Sequence, residues 1–170
     1  PTNLHKVYSI GEITDMRYMF QDCKDFNQLL RIDTSRVTNM EGLFMGCTKF
    51  NQILYFNTKN VTDMSKMFNY CRNFNQPFGR NFVTKKVSDM SYMFCGCTNF
   101  NQKFDENFNT TNVTNMSYMF SLCRKFNKSL GENFNTSRVN NMSWMFYECN
   151  SFDQNFGSSF NTSKVQNMNY

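Results

Sequence analysis

The chain has 170 residues, a net charge of +5, and hydrophobic and aromatic fractions of 40% and 17%. That length suits one domain or slightly more, and the cations are scattered with no basic run. No stretch reaches the apolar length of a membrane span and none is laid out like a signal peptide. Catalysis finds no Ser/His/Asp set, glycine-rich phosphate loop or isolated carboxylate pair to rest on, so an enzyme is not expected.

In chain order, residues 1–12 read as the tail of a repeat, because Leu4 and Tyr8 occupy columns that recur late in the units that follow. Full repeats start near Ile13, Val37, Val61, Val87, Val113 and Val139, and a partial one fills 165–170. Their openings are 24, 24, 26, 26, 26 and 26 residues apart, a period that marks a solenoid, a propeller or a repeat array. One solenoid over 1–170 is expected, cut inside a repeat at both ends and therefore a piece of a longer protein. Neither end supplies the polar cap that solenoids need.

Counting each repeat from its opening Val or Ile as position 0, position 3 is Met in all of them, from Met16 to Met168. Position 6 is Met or Leu, position 7 is Phe and position 10 is Cys. These are i, i+3, i+4 and i+7, one face of a short helix. Ser65, Ser91, Ser117 and Ser143 stand where a hydroxyl would cap it. Later columns begin at Phe26, Leu30 and Ile32, and with position 7 they take all 20 Phe. Apolar residues that keep the period this closely are core that only stacked neighbours can bury. The Phe-Asn-Gln-x-Phe and Val-Thr-Asn-Met runs read as short strands. The length difference falls in one loop, as Leu54-Tyr55-Phe56 shows against Phe104-Asp-Glu-Asn-Phe108. The expected fold class is a repeat solenoid, a leucine-rich-repeat-like coil with short strands and one short helix per 24–26-residue repeat.

Of seven cysteines, six form the position-10 column, Cys23, Cys47, Cys71, Cys97, Cys123 and Cys149. They read as a ladder of reduced, buried thiols, since parallel side chains rarely reach disulfide torsions. His5 is the single histidine and the cysteines are a full coil apart, so no zinc site, and no cofactor, is expected. Cys95, at position 8, is turned outward by a helical wheel. A lone exposed thiol fits a reducing compartment and keeps a cytoplasmic location open.

Position 5 holds Tyr18, Gly42, Lys66, Tyr92, Tyr118, Trp144 and Tyr170, opposite the Met/Phe/Cys face and therefore expected in solvent. Tyr92, Tyr118 and Trp144, with Tyr147 one turn further on, are the candidate ligand contacts. Exposed rings suit sugar faces, peptide anchors or bases; the same column also reads as lateral packing between neighbouring rungs. Basic columns run before each Val (Arg36, Lys86, Arg138, Lys164) and just past the Cys (Lys24, Lys49, Arg72, Arg124, Lys125). Nucleic-acid binding would need a denser basic stripe interleaved with aromatics. Here the basic and aromatic columns are placed on separate faces, so no nucleic acid is expected as a partner. Asn recurs at position 14, from Asn27 to Asn127, and Asn or Asp at position 2, from Asp15 to Asn167. Both columns read as structural, bonding the backbone of successive turns.

The string Val-Thr-Asn-Met-Ser-x-Met-Phe-x-x-Cys-x-x-Phe-Asn-Gln, followed by Asn-Phe-Asn-Thr-Ser, resembles the BspA-like leucine-rich repeat surface proteins. More narrowly it is similar to DUF285 or PARCEL-type repeats, abundant in mycoplasmas and found in other bacteria, some protists and large DNA viruses. Where many members carry Trp, this chain has Phe108, Phe134 and Phe160. The resemblance implies a right-handed solenoid and a surface protein that adheres to host cells or matrix proteins, and it supplies no catalytic or ligand residues. The function expected is a non-enzymatic binding module, on the cell surface, secreted or on a virion, contacting a host protein or glycan. A structural spacer or fibre component that self-associates end to end, and an intracellular interaction scaffold, are the alternatives.

Overall fold

The computed structural model describes residues 12–170; Leu4, His5 and Tyr8, and with them nearly all of the expected partial repeat at 1–12, lie outside the described residues. Successive repeats lie parallel in register. Position 2 bridges to position 2 of the next repeat throughout, from Asp15 with Asn39 to Asn141 with Asn167. Among the described residues there is no helix and no sheet, and strand pairing amounts to isolated single-residue bridges. The expected leucine-rich-repeat-like coil, with a helix and short strands in every repeat, is not formed.

What forms in place of the helix is a pair of consecutive four-residue turns. In the fourth repeat, Met93 N–H donates to Met90 C=O at 3.2 Å, and Cys97 N–H to Phe94 C=O at 2.9 Å. The third residue of each turn has positive φ, +57° at Tyr92 and +73° at Gly96, as a type II turn requires. The same two positions are left-handed in every full repeat; Tyr118 (+57°) and Leu122 (+62°) are the next pair. A left-handed residue at every fourth position is incompatible with an α-helix. The corner residues of the two turns are positions 3, 6, 7 and 10, so they share the core side with the spacing of a helix face. The polar residue at position 2 starts the ribbon. Its Oδ1 accepts the N–H of position 4 in each repeat, for example Ser91 to Asp89 at 2.7 Å and Ser117 to Asn115 at 3.1 Å. Capping thus comes from the Asx side chain; the Ser hydroxyls expected to cap a helix bond that same side chain in Ser65, Ser117 and Ser143.

Between repeats, the N–H groups of positions 3, 5, 7 and 9 donate to the C=O groups of positions 2, 4, 6 and 8 in the next one. Met90 to Asn115, Tyr92 to Ser117, Phe94 to Met119 and Gly96 to Ser121 span 2.8–3.1 Å. Donor and acceptor therefore belong to the same four peptide units in every repeat, which pile into four continuous columns.

The core is filled by two Phe files. Position-7 rings stack at 5.5–5.8 Å from one repeat to the next, and each packs on the position-13 ring of its own repeat, as Phe94 on Phe100 at 4.5 Å. Phe44, Phe68, Phe94 and Phe120 are fully buried. Polar files seal the flanks. Asn75 Oδ1 accepts Asn101 N–H at 2.9 Å and Gln102 Nε2 at 2.9 Å, a pattern running from Asn27 to Asp153. Buried Thr84, Thr110 and Thr136 donate their hydroxyls to the next repeat's carbonyls at 2.8 Å. These bonds satisfy backbone groups that stacking removes from water.

All seven cysteines are free. Each position-10 Sγ from Cys47 onward donates to the Phe carbonyl of the preceding repeat, at 2.8–3.0 Å. Burial raises these thiols well above their ordinary pKa, Cys47 and Cys149 to about 12. Two expectations need correction. Cys23, in the first described repeat, is exposed, and Cys95 is buried at 4% exposure. With no helix, a helical wheel does not place position 8. Cys95 lies inside the second turn, and its thiol is pushed up to about 11 by desolvation. The argument for a reducing compartment from an accessible Cys95 falls with it.

Candidate functional site

Position 5 is the third residue of the first turn, and its left-handed backbone aims the side chain away from the core. Tyr92, Tyr118 and Trp144 occupy it in consecutive repeats with φ of +57°, +57° and +59°. Their rings stack face to face, Tyr92 on Tyr118 at 4.4 Å and 8°, Tyr118 on Trp144 at 5.6 Å and 5°. Tyr170 continues the ladder at 4.0 Å, and Tyr147 meets Trp144 edge-on at 4.8 Å and 69°. The four candidate contacts are thus one cluster, but not the freely exposed strip expected. Tyr92, Tyr118 and Trp144 are half-buried, because each ring covers its neighbour's face, and only Tyr147 is exposed, at 39%. What the ladder offers to solvent is its rims, the ring edges and phenolic oxygens. Desolvation and the adjacent Tyr118 raise the Tyr92 hydroxyl pKa.

Toward the first repeat the column changes character. Gly42 has no Cβ, and one added there would lie 2.3 Å from Tyr18, whose ring crosses the glycine. The Tyr18 hydroxyl donates to Glu41 Oε1, and Lys66 Nζ donates to the same oxygen at 2.9 Å and to Tyr18 Oη at 3.3 Å. The hydrogen bond to Glu41 raises Lys66 to about 12. Burial alone would raise the Glu41 carboxyl, but the bonds from Tyr18 and Lys66 hold it below its usual range. One outward column therefore carries a polar triad at one end and an aromatic ladder at the other.

A second outward column, at position 9, was not singled out by the sequence. Tyr70, Gly96 and Leu122 line it, next to Arg72, Thr98 and Arg124 at position 11, around a surface notch of about 260 Å³. Its signal in the sequence is Gly96, a small residue between two large ones in a column with left-handed φ. An apolar cavity of about 170 Å³ lies against the last repeat, between Met142, Met145, Phe156 and Tyr170. Among the described residues no group of three His, Cys, Asp or Glu converges as a metal site, and no helix is long and apolar enough to cross a membrane.

No curated protein and no solved structure matches the chain. The profile of one protein family does, the one described as "Mycoplasma protein of unknown function, DUF285", over residues 3–106 and again over 79–170. With the matches spanning nearly all of the repeats whose turns and ladders are described above, the chain belongs to the DUF285 family.

Proposed function

We propose that this chain is a non-enzymatic recognition module whose contact surface is the ladder of Tyr92, Tyr118, Trp144 and Tyr147. One observation carries the reading: bulky aromatic residues occupy a column whose backbone favours glycine. A left-handed conformation costs a residue with a Cβ about 1–2 kcal/mol, and at this place the chain uses glycine only once, at Gly42. Mutual stacking offsets part of that cost. The outward rims add what core packing does not need, a rigid row of positive ring edges and hydroxyl donors suited to carbonyl, carboxylate or hydroxyl oxygens of a protein or glycan. The similarity to BspA-like adhesins supports a surface, secreted or virion setting and a host partner. The intracellular-scaffold alternative no longer rests on Cys95, which is buried.

The test is binding of the chain to arrayed glycans, matrix proteins and host-cell surfaces, beside a Tyr92→Ala/Tyr118→Ala/Trp144→Ala variant of matched secondary-structure spectrum. Saturable binding that the variant loses supports the ladder as contact surface, and undiminished binding rules it out. A second reading is a unit that stacks on further copies, as the parallel in-register pairing of its own repeats does within the chain. Concentration-dependent growth in sedimentation velocity would select it.

A further inference from the structure

The notch at positions 9 and 11 has the parts of an acidic-sugar site. Tyr70 and Leu122 form its walls, both at left-handed residues, with φ of +59° and +62°, that project them outward. Gly96 is its floor. The Tyr70 ring lies across that glycine, where a Cβ would come within 2.7 Å of Cδ1, yet Tyr70 remains 44% exposed. Unlike the ladder rings, it pairs with no other ring among the described residues. Beside it, short Thr98 stands between Arg72 and Arg124 in the position-11 column, and all three line the notch. The nearest carboxylate is that of Glu148, the position-9 residue of the next repeat, at the Arg124 end of the notch. Arg72 makes no ion pair among the described residues, and Arg124 has only a solvent-exposed one, to Glu148 at 2.8 Å.

The cations also have a spacing. Position 11 reads Lys24, Thr48, Arg72, Thr98, Arg124, so charge falls on alternate repeats. With a parallel spacing near 4.8 Å per repeat, this is one cation about every 10 Å along a straight row. Arginine forks bind oxyanions in bidentate fashion, and an exposed aromatic ring takes the C–H face of a sugar ring. We propose that this row, centred on the Tyr70–Arg72–Arg124 notch, binds a linear acidic polysaccharide through sulfate or carboxylate groups carried at intervals along it. The proposal rests on the reading of the chain as a recognition module but uses none of the ladder residues. An acidic polypeptide shares the charge but has no sugar face for Tyr70, and free phosphate shares the oxyanion but not the row.

The experiment is calorimetric titration of the full chain at physiological salt with a heparin-derived oligosaccharide of defined length. Saturable binding is expected. It should weaken by about tenfold or more in Arg72→Gln/Arg124→Gln, two charge-assisted contacts being lost, and measurably in Tyr70→Ala. Lys86→Gln/Lys164→Gln removes the same charge elsewhere and should leave it unchanged. No binding, or equal loss in the two charge variants, overturns the site. Poly-glutamate or inorganic phosphate binding as tightly as the oligosaccharide, or full binding by Tyr70→Ala, overturns the sugar assignment. Loss confined to the Tyr92/Tyr118/Trp144 variant moves the ligand to the ladder, which refutes the notch and leaves the recognition module standing. Loss of partner binding in that variant with oligosaccharide binding intact separates the two surfaces.

Discussion

Replacing Leu122 in parallel by glycine and by alanine measures the turn geometry directly. Both variants discard the same branched side chain, so lost packing nearly cancels in the comparison and the backbone decides. Leu122 has φ +62°. Alanine there retains the left-handed cost of about 1–2 kcal/mol, and glycine relieves it. Glycine in turn gives up about 0.4–1 kcal/mol through the greater freedom of its unfolded chain. The net expectation is a glycine variant more stable than the alanine variant by about 0.5–1 kcal/mol. A helix through positions 3–10 would reverse the order, alanine exceeding glycine by about 1 kcal/mol. Urea unfolding followed by circular dichroism, with midpoints compared at a common slope, reads the difference. Alanine more stable than glycine at Leu122 would refute the two-turn backbone, and with it the outward aim of both surface columns.

Gly96→Ala should be destabilising by about 2 kcal/mol or more, since its left-handed φ of +73° is joined by a Cβ contact of 2.7 Å with Tyr70; Tyr70→Ala in the same chain should recover the steric part. Phe94→Ala, which removes a fully buried ring between Phe68, Phe100 and Phe120, should cost about 3–5 kcal/mol in the same assay. Asn75→Ala deprives Asn101 N–H of its acceptor, and Gln102 Nε2 of one of its two, and should cost about 1–3 kcal/mol, with faster hydrogen exchange at the Asn101 amide. In the Tyr18–Glu41–Lys66 triad, the lowered Glu41 pKa contributes stability above the usual 4.5 that fades as pH falls through the depressed value. The raised Lys66 pKa contributes below the usual 10.5 and is lost as pH rises through about 12. Both groups are partly solvated, so the effect is under about 1 kcal/mol, and Glu41→Gln should flatten the acid limb of the stability profile. A thiol reagent should leave Cys71, Cys97 and Cys123 unmodified in the native chain and reach them only in denaturant.

The Phe, Cys and Asn columns were legible in the sequence because stacking brings equivalent positions together whatever the backbone between them does. The local conformation was not. Two consecutive turns put positions 3, 6, 7 and 10 on one side, as a helix does, and periodicity cannot separate the two. The chemistry that distinguishes a type II turn is glycine or asparagine at its third residue. In the six full repeats those places hold Tyr18, Asp22, Lys66, Tyr70, Tyr92, Tyr118, Leu122, Trp144 and Glu148, with glycine only at Gly42, Gly46 and Gly96. That misreading spread to Cys95, turned outward by a wheel that does not apply. The candidate ladder was found because Tyr92, Tyr118 and Trp144 share a column, but its exposure was overestimated, since rings one repeat apart are close enough to cover each other. The position-9 notch went unnoticed because its walls and floor, Tyr70, Leu122 and Gly96, look unrelated until their shared left-handed backbone is seen.

The four piles of peptide units give the stack an electrical direction. In each pile the N–H of one repeat points at the C=O of the next, as Tyr92 does toward Ser117 and Tyr118 toward Ser143. Peptide dipoles of about 3.5 D aligned head to tail sum along an axis, as they do in an α-helix. The columns at position 1, such as Thr38 to Thr14, and just past the Cys, such as Lys49 to Lys24, run the opposite way and cancel part of the total. A net polarity remains, with C=O groups on the face toward the first repeat and N–H groups on the face toward the last. Two such faces are complementary to each other and not to themselves. Successive repeats therefore dock in one polarity only, each offering its N–H groups to the C=O groups of the next.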